Sequence, residues 1–91
     1  MKPLVLTYHA LVERIRAYGL DMADVERAVR APDWTEPELG RPEVELRFLT
    51  HPSTGRRPLR VAVVEEADHI RVLSAHPDRN ARPPDAGRHD V

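Results

Sequence analysis

Apolar positions recur at Tyr8, Leu11, Val12, Ile15 and Tyr18, three or four residues apart, which is the stripe of an amphipathic helix. Thr7 stands before it as an N-cap, and Gly19 followed by apolar Leu20 reads as a left-handed C-cap. Asp21 restarts the chain as a second N-cap, with Asp24 in the first turn, where the helix dipole favours a carboxylate. Met22, Val25, Ala28 and Val29 form the buried stripe of this second helix, which Pro32 ends. Pro37, Gly40 and Pro42 then interrupt any regular pattern and leave a linker that can still form a short edge strand from Trp34 to Leu39. Further on the period becomes two. Val44, Leu46 and Phe48 alternate with Glu45, Arg47 and Leu49, and His51 to Arg56 supplies turn chemistry. The next strand has Leu59, Val61 and Val63 on one face and Arg60, Ala62 and Val64 on the other, and after an acidic turn a last strand runs from His69 to Ala75.

This pattern predicts an α+β domain over residues 1–77, with two N-terminal helices packed on one face of a three- to four-stranded antiparallel sheet. The other face is expected to be polar and to present Glu45, Arg47 and Arg60. Residues 78–91 offer little to bury and read as a flexible C-terminal tail.

At 91 residues the chain supports one small core and cannot enclose a large ligand, and with aromatics at 4% that core must be aliphatic. The absence of cysteine excludes a disulfide framework, a thiolate nucleophile and a Cys-type zinc site. Leu4, Val5 and Leu6 are too short an apolar run for a signal-peptide core or a membrane span, so a cytoplasmic protein without membrane contact is expected. The formal net charge of -1 builds in no long-range attraction to a polyanion. It conceals an uneven distribution: between residues 46 and 64 stand Arg47, Arg56, Arg57 and Arg60 and no acid, a local charge of +4. Guanidinium groups gathered on a hairpin can hold a phosphodiester and stabilise the charge of a pentacoordinate transition state; they also suit a solvated hairpin tip that resists edge pairing.

Histidines at 9, 51, 69, 76 and 89 are the acid/base candidates. None is paired at a metal-ligand spacing on one helix or strand, so no metal or other cofactor is expected. His9 falls in the first turn of helix one, where unpaired backbone N–H groups favour a neutral imidazole able to act as a base. Ser74 and His76 share parity at the end of the last strand, so a hydroxyl and an imidazole could project from one face.

The passage Arg16-Ala17-Tyr18-Gly19-Leu20-Asp21-Met22-Ala23-Asp24-Val25, continuing through Ala31-Pro32-Asp33, resembles the two-helix segment of small bacterial toxins of the BrnT type. Arg60 to Val64 and His69 to His76 look like their last two strands, with Ser74-Ala75-His76 where that family has Ser-Ala-Arg. The opening Leu6-Thr7-Tyr8-His9-Ala10 is similar to a related uncharacterised bacterial family that begins helix one with His-Ala. The resemblance implies the helix-helix-sheet fold of RelE and ParE toxins and a metal-independent endoribonuclease of a toxin-antitoxin system, with RNA as substrate and an antitoxin protein as partner. It implies His9 as general base or acid, Arg47 and Arg60 as phosphate or transition-state contacts, and Ser74 and His76 as polar residues at the site's edge. Arg56 and Arg57 would add substrate contacts from the hairpin. The competing expectations are a non-catalytic module that uses the same sheet face for a protein partner, as ParE-type toxins do, and a homodimer paired through Trp34 to Leu39.

Overall fold

The computed structural model describes residues 1–7, 9–53 and 57–84, leaving aside the side chains of residues 9 and 10. Its elements are β1 (Leu4–Leu6), α1 (His9–Ala17), α2 (Met22–Arg30), β2 (Trp34–Glu38), β3 (Arg41–Leu49), β4 (Leu59–Glu65) and β5 (Ile70–Pro77). The fold is α+β. No helix among the described residues is long and apolar enough to cross a membrane.

The boundaries between the helices are local events, but the start of α1 is not as expected: Thr7, read as its N-cap, donates its hydroxyl to the carbonyl of Val72 on β5 instead. Gly19, at φ 71°, closes α1: its N–H donates to Arg16 O at 2.9 Å and that of Leu20 to Ile15 O at 3.0 Å, the paired bonds of a Schellman cap. Asp21 opens α2 by accepting from the backbone N–H of Ala23 at 2.9 Å. The stripe of α2 departs from expectation at one turn: Val25, Ala28 and Val29 are buried, Met22 is exposed, and Asp24 is buried in its stead.

The five strands lie in the order β1-β5-β4-β3-β2. This corrects the expectation of an all-antiparallel sheet of three to four strands. Leu4–Leu6 adds an edge strand parallel to β5, with Leu4 beside Ile70 and Leu6 beside Val72, while β2, β3, β4 and β5 form an antiparallel meander. Three residues carry almost no periodicity, so β1 exists because β5 offers it a paired edge and Leu4 and Leu6 pack against the core under the helices, while Val5 stays exposed. The predicted edge strand is β2, turned into β3 at Leu39 and Gly40, where Gly40 takes φ 82°.

One face of the sheet receives both helices. Leu11, Ile15, Val25, Ala28 and Val29 pack there against Leu49, Leu59, Val61, Val63, Ile70, Val72 and Ala75. At about 1.5–3 kcal/mol per fully buried aliphatic side chain, this layer is the main source of stability. The opposite face is not polar as expected: Val44, Ala62 and Val64 form a second apolar cluster, flanked by Leu46 and Leu73. The parity of β3 is therefore the reverse of the expected one. Glu45 and Arg47 stand opposite Val63 and Val61 on the helix side, and Phe48 stands opposite Arg60 on the outer side.

A second register event follows in β5. Ala62 pairs with Ser74, but Val63 pairs with Val72, which leaves Leu73 as the extra residue of a bulge. Ile70 and Val72 face the helices. Without the bulge Ser74 and His76 would follow them; with it, Ala75 enters the helix-side core, and Ser74 and His76 turn outward.

Candidate functional site

The bulge completes a row across the outer face in which Trp34, Phe48, Arg60 and His76 stand side by side on four successive strands. Trp34 and Phe48 stack with ring centroids 4.5 Å apart and planes 2° from parallel, and the indole N–H donates to Glu36 at 2.9 Å. Beside them the Arg60 Nη2 lies 2.6 Å from Nε2 of His76. The other ring nitrogen, Nδ1, is 3.1 Å from the carbonyl oxygen of Pro77. A carbonyl only accepts and a guanidinium only donates, so the imidazole in this arrangement carries its proton on Nδ1 and turns the Nε2 lone pair toward Arg60. Ser74 occupies the next row, opposite Ala62. Tyr18, exposed at the end of α1, brings its ring to 6.4 Å from that of His76, and a carboxylate oxygen of Asp78 lies 3.6 Å from Arg60 Nη1. Arg60 remains one-third exposed.

Arg47 does not join this group, which corrects the expectation that it shares a sheet face with Arg60. It lies on the helix side of the sheet, and its side chain is only 12% exposed. Nε donates to Glu45 at 2.7 Å, Nη1 to the carbonyl of Val29 at 2.7 Å, and Nη2 to Glu65 at 2.6 Å. Burial opposes its charge, but the hydrogen bonds to Glu65 and Glu45 outweigh that and raise its pKa above the ordinary value. Lys2 reaches the other oxygen of Glu65 at 2.9 Å; with Lys2 and then Arg47 on its carboxylate, Glu65 has its pKa held at about 2. Every nitrogen of the Arg47 guanidinium is thus engaged in joining α2, β3, β4 and the N-terminal residues.

The +4 charge of the hairpin is correspondingly reduced, since Arg47 faces two carboxylates and Arg60 faces Asp78. Arg57 is exposed beside the start of β4, whereas Arg56 and the side chain of His9 lie outside the described residues. The loop bearing Arg57 is tied down at its base. Buried Asp24 accepts from the backbone N–H of Ser53 at 2.9 Å and from its hydroxyl at 2.7 Å, and Asp33 accepts from Thr50 N–H at 2.6 Å. That Thr50 N–H holds the pKa of Asp33 below its ordinary value. At the loop's far end, Pro58 O accepts from the Asp78 N–H at 2.8 Å, so Arg57, Arg60, His76 and Asp78 come to one end of the sheet.

Of the residues picked out from the pattern, the structure gathers Arg60, Ser74 and His76 and separates Arg47 from them by the thickness of the sheet. Sequence reasoning missed Asp78 and Tyr18. Asp78 follows the last strand in a polar run without pattern, and Tyr18 belonged to the apolar stripe of α1. Among the described residues no three His, Asp or Glu side chains are grouped as metal ligands would be. Comparison of the chain with protein-family models, curated proteins and solved structures finds no match.

Proposed function

We propose that this chain binds RNA at the outer-face end of β4 and β5 and cleaves it without a metal ion, in the manner of a toxin endoribonuclease held in check by a partner antitoxin in the cytoplasm. The observation that carries the reading is the Arg60–His76 pair, a phosphate-binding cation set against an imidazole whose Nε2 lone pair is oriented by the Pro77 carbonyl. When a phosphodiester enters, Arg60 moves from Nε2 to a non-bridging oxygen. Nε2 then takes the proton of the ribose 2′-hydroxyl, whose oxygen bonds to phosphorus as the bond to the 5′ oxygen breaks. The departing 5′ oxygen gains a proton, and a 2′,3′-cyclic phosphate remains. Ser74 stands one row away as a hydrogen-bond donor to the substrate and Arg57 extends the basic surface; Arg56 and the side chain of His9, outside the described residues, are the candidates for a further substrate contact and for the second proton transfer.

The test is incubation of purified protein with single-stranded RNA in EDTA. Cyclic phosphate ends are expected, with rates reduced by about 10²- to 10⁴-fold in His76→Ala, the usual contribution of a general base. Intact RNA after prolonged incubation at high protein concentration overturns the reading.

A second reading, a non-catalytic module for a protein partner, is favoured by the pairing of Arg47 and Arg60 with carboxylates, which leaves less free positive charge for a phosphate. It requires that the protein capture a partner through the outer face of the sheet while leaving RNA uncut.

A further inference from the structure

We infer that Asp78 is an internal competitor for the phosphate seat, a carboxylate that the segment after β5 holds against Arg60 and that the substrate must displace. The inference rests on the RNA-binding reading above and concerns the regulation of that same site. The placement of Asp78 is specified by several bonds. Pro77 closes β5 opposite Leu59, and the Asp78 N–H donates to Pro58 O at 2.8 Å, which fixes the backbone beside the start of β4. One carboxylate oxygen, Oδ1, accepts from the Asn80 N–H at 2.9 Å, and the Asp78 carbonyl accepts from the Ala81 N–H at 3.2 Å, so the chain turns about this residue. The second oxygen, Oδ2, is left toward Arg60, 3.6 Å from Nη1. The Asp78 side chain is 18% exposed and that of Arg60 34%, so the pair is partly shielded from water while the guanidinium remains approachable.

A carboxylate and a phosphodiester each bear one negative charge and offer oxygens to the same edge of a guanidinium. The planar fork of Arg60 is already shared, with Nη2 on His76 and Nη1 facing Asp78. A phosphate oxygen that takes Nη1 therefore meets the repulsion of a fixed anion until the segment following Pro77 moves away. RNA or a bound partner that displaces this segment would gain access to Arg60, so occupancy of the site and the position of residues 78–84 are linked.

The test uses the full chain and a 2′-O-methyl RNA oligonucleotide, which binds but cannot be cleaved. Asp78→Asn preserves the Oδ1 acceptor and the side-chain shape while removing the charge, and Asp78→Ser removes the charge in a smaller residue that can still accept from Asn80. Both are expected to bind the oligonucleotide about 3- to 10-fold more tightly at low salt, the scale of one partly shielded ion pair, and the gain should shrink as salt is raised. Asp78→Glu keeps the charge and should bind like the unsubstituted protein. In an Arg60→Gln background the gain from Asp78→Asn should vanish. If Arg60→Gln weakens binding but neither neutral variant strengthens it, the competitor role is overturned and the binding site stands. If Arg60→Gln binds as well as the unsubstituted protein, the site itself is overturned.

Discussion

Replacing Arg47 by Met keeps an unbranched apolar stem in the sheet and removes the guanidinium that joins α2 to β3 and β4. The lost bonds are unequal. Glu45 and Glu65 are 44% and 48% exposed, so water can replace the guanidinium there and these two pairs carry little of the loss. The bond from Nη1 to Val29 O, at 2.7 Å, serves a carbonyl at the C-terminal end of α2 and is charge-assisted, a class of bond worth about 1.5–3 kcal/mol. The carbonyl bond therefore sets the expected destabilisation at about 1.5–3 kcal/mol, which for a domain of this size lowers the melting temperature by roughly 6–24 °C. Urea unfolding followed by far-ultraviolet circular dichroism and by Trp34 fluorescence measures the change. An unchanged slope with a lower midpoint locates the loss in the folded state. A loss below about 0.5 kcal/mol would refute the structural role, since substitutions at uninvolved surface positions fall in that range. The same variant, at a temperature where it is folded, should bind RNA like the unsubstituted protein; a large loss of affinity with normal stability would return Arg47 to the binding site.

Acid should weaken the fold through Glu65. Its folded-state pKa lies near 2 against an ordinary 4.5, so its contribution is fully present above about pH 4.5 and is lost as pH falls toward 2. Asp33 and Asp68 are shifted in the same direction, and thermal melts between pH 6 and pH 2 should show a falling midpoint that Lys2→Met makes shallower; a flat profile contradicts the network. Asp24→Ala removes a buried carboxylate and strands the Ser53 N–H and hydroxyl, at an expected cost of about 2–4 kcal/mol, with Ser53→Ala costing about 1 kcal/mol. Chemical denaturation checks both, and equal stability of all three proteins would show that the anchor of the hairpin loop lies elsewhere.

The legible parts of this fold are those decided by neighbours in the chain. Gly19 closes α1 and Asp21 opens α2 through bonds within a few residues, and Leu59 to Glu65 alternates strongly enough to be read as a strand from either face. The edge strand β2 was likewise visible between its turn residues. Leu4–Leu6 was not, because its pairing partner is more than sixty residues away. Asp24 looked like a first-turn carboxylate and is instead buried on Ser53, a contact no local pattern encodes. The arginines read as one basic patch because composition counts charge without assigning faces.

Faces are where sequence and tertiary structure part. By itself the sequence determined two helices with the corner that joins them, an aliphatic core and four of the five strands, since these follow from turn chemistry and periodicity. Which way each strand turned was decided only when the strands paired. The apolar cluster around Val44 and Ala62 drew Phe48 to the outer face and sent Arg47 toward α2. The bulge at Leu73 brought Ser74 and His76 out beside Arg60. A side-chain period of two means that one slipped residue exchanges the faces of everything beyond it, and that slip is set by the partner strand.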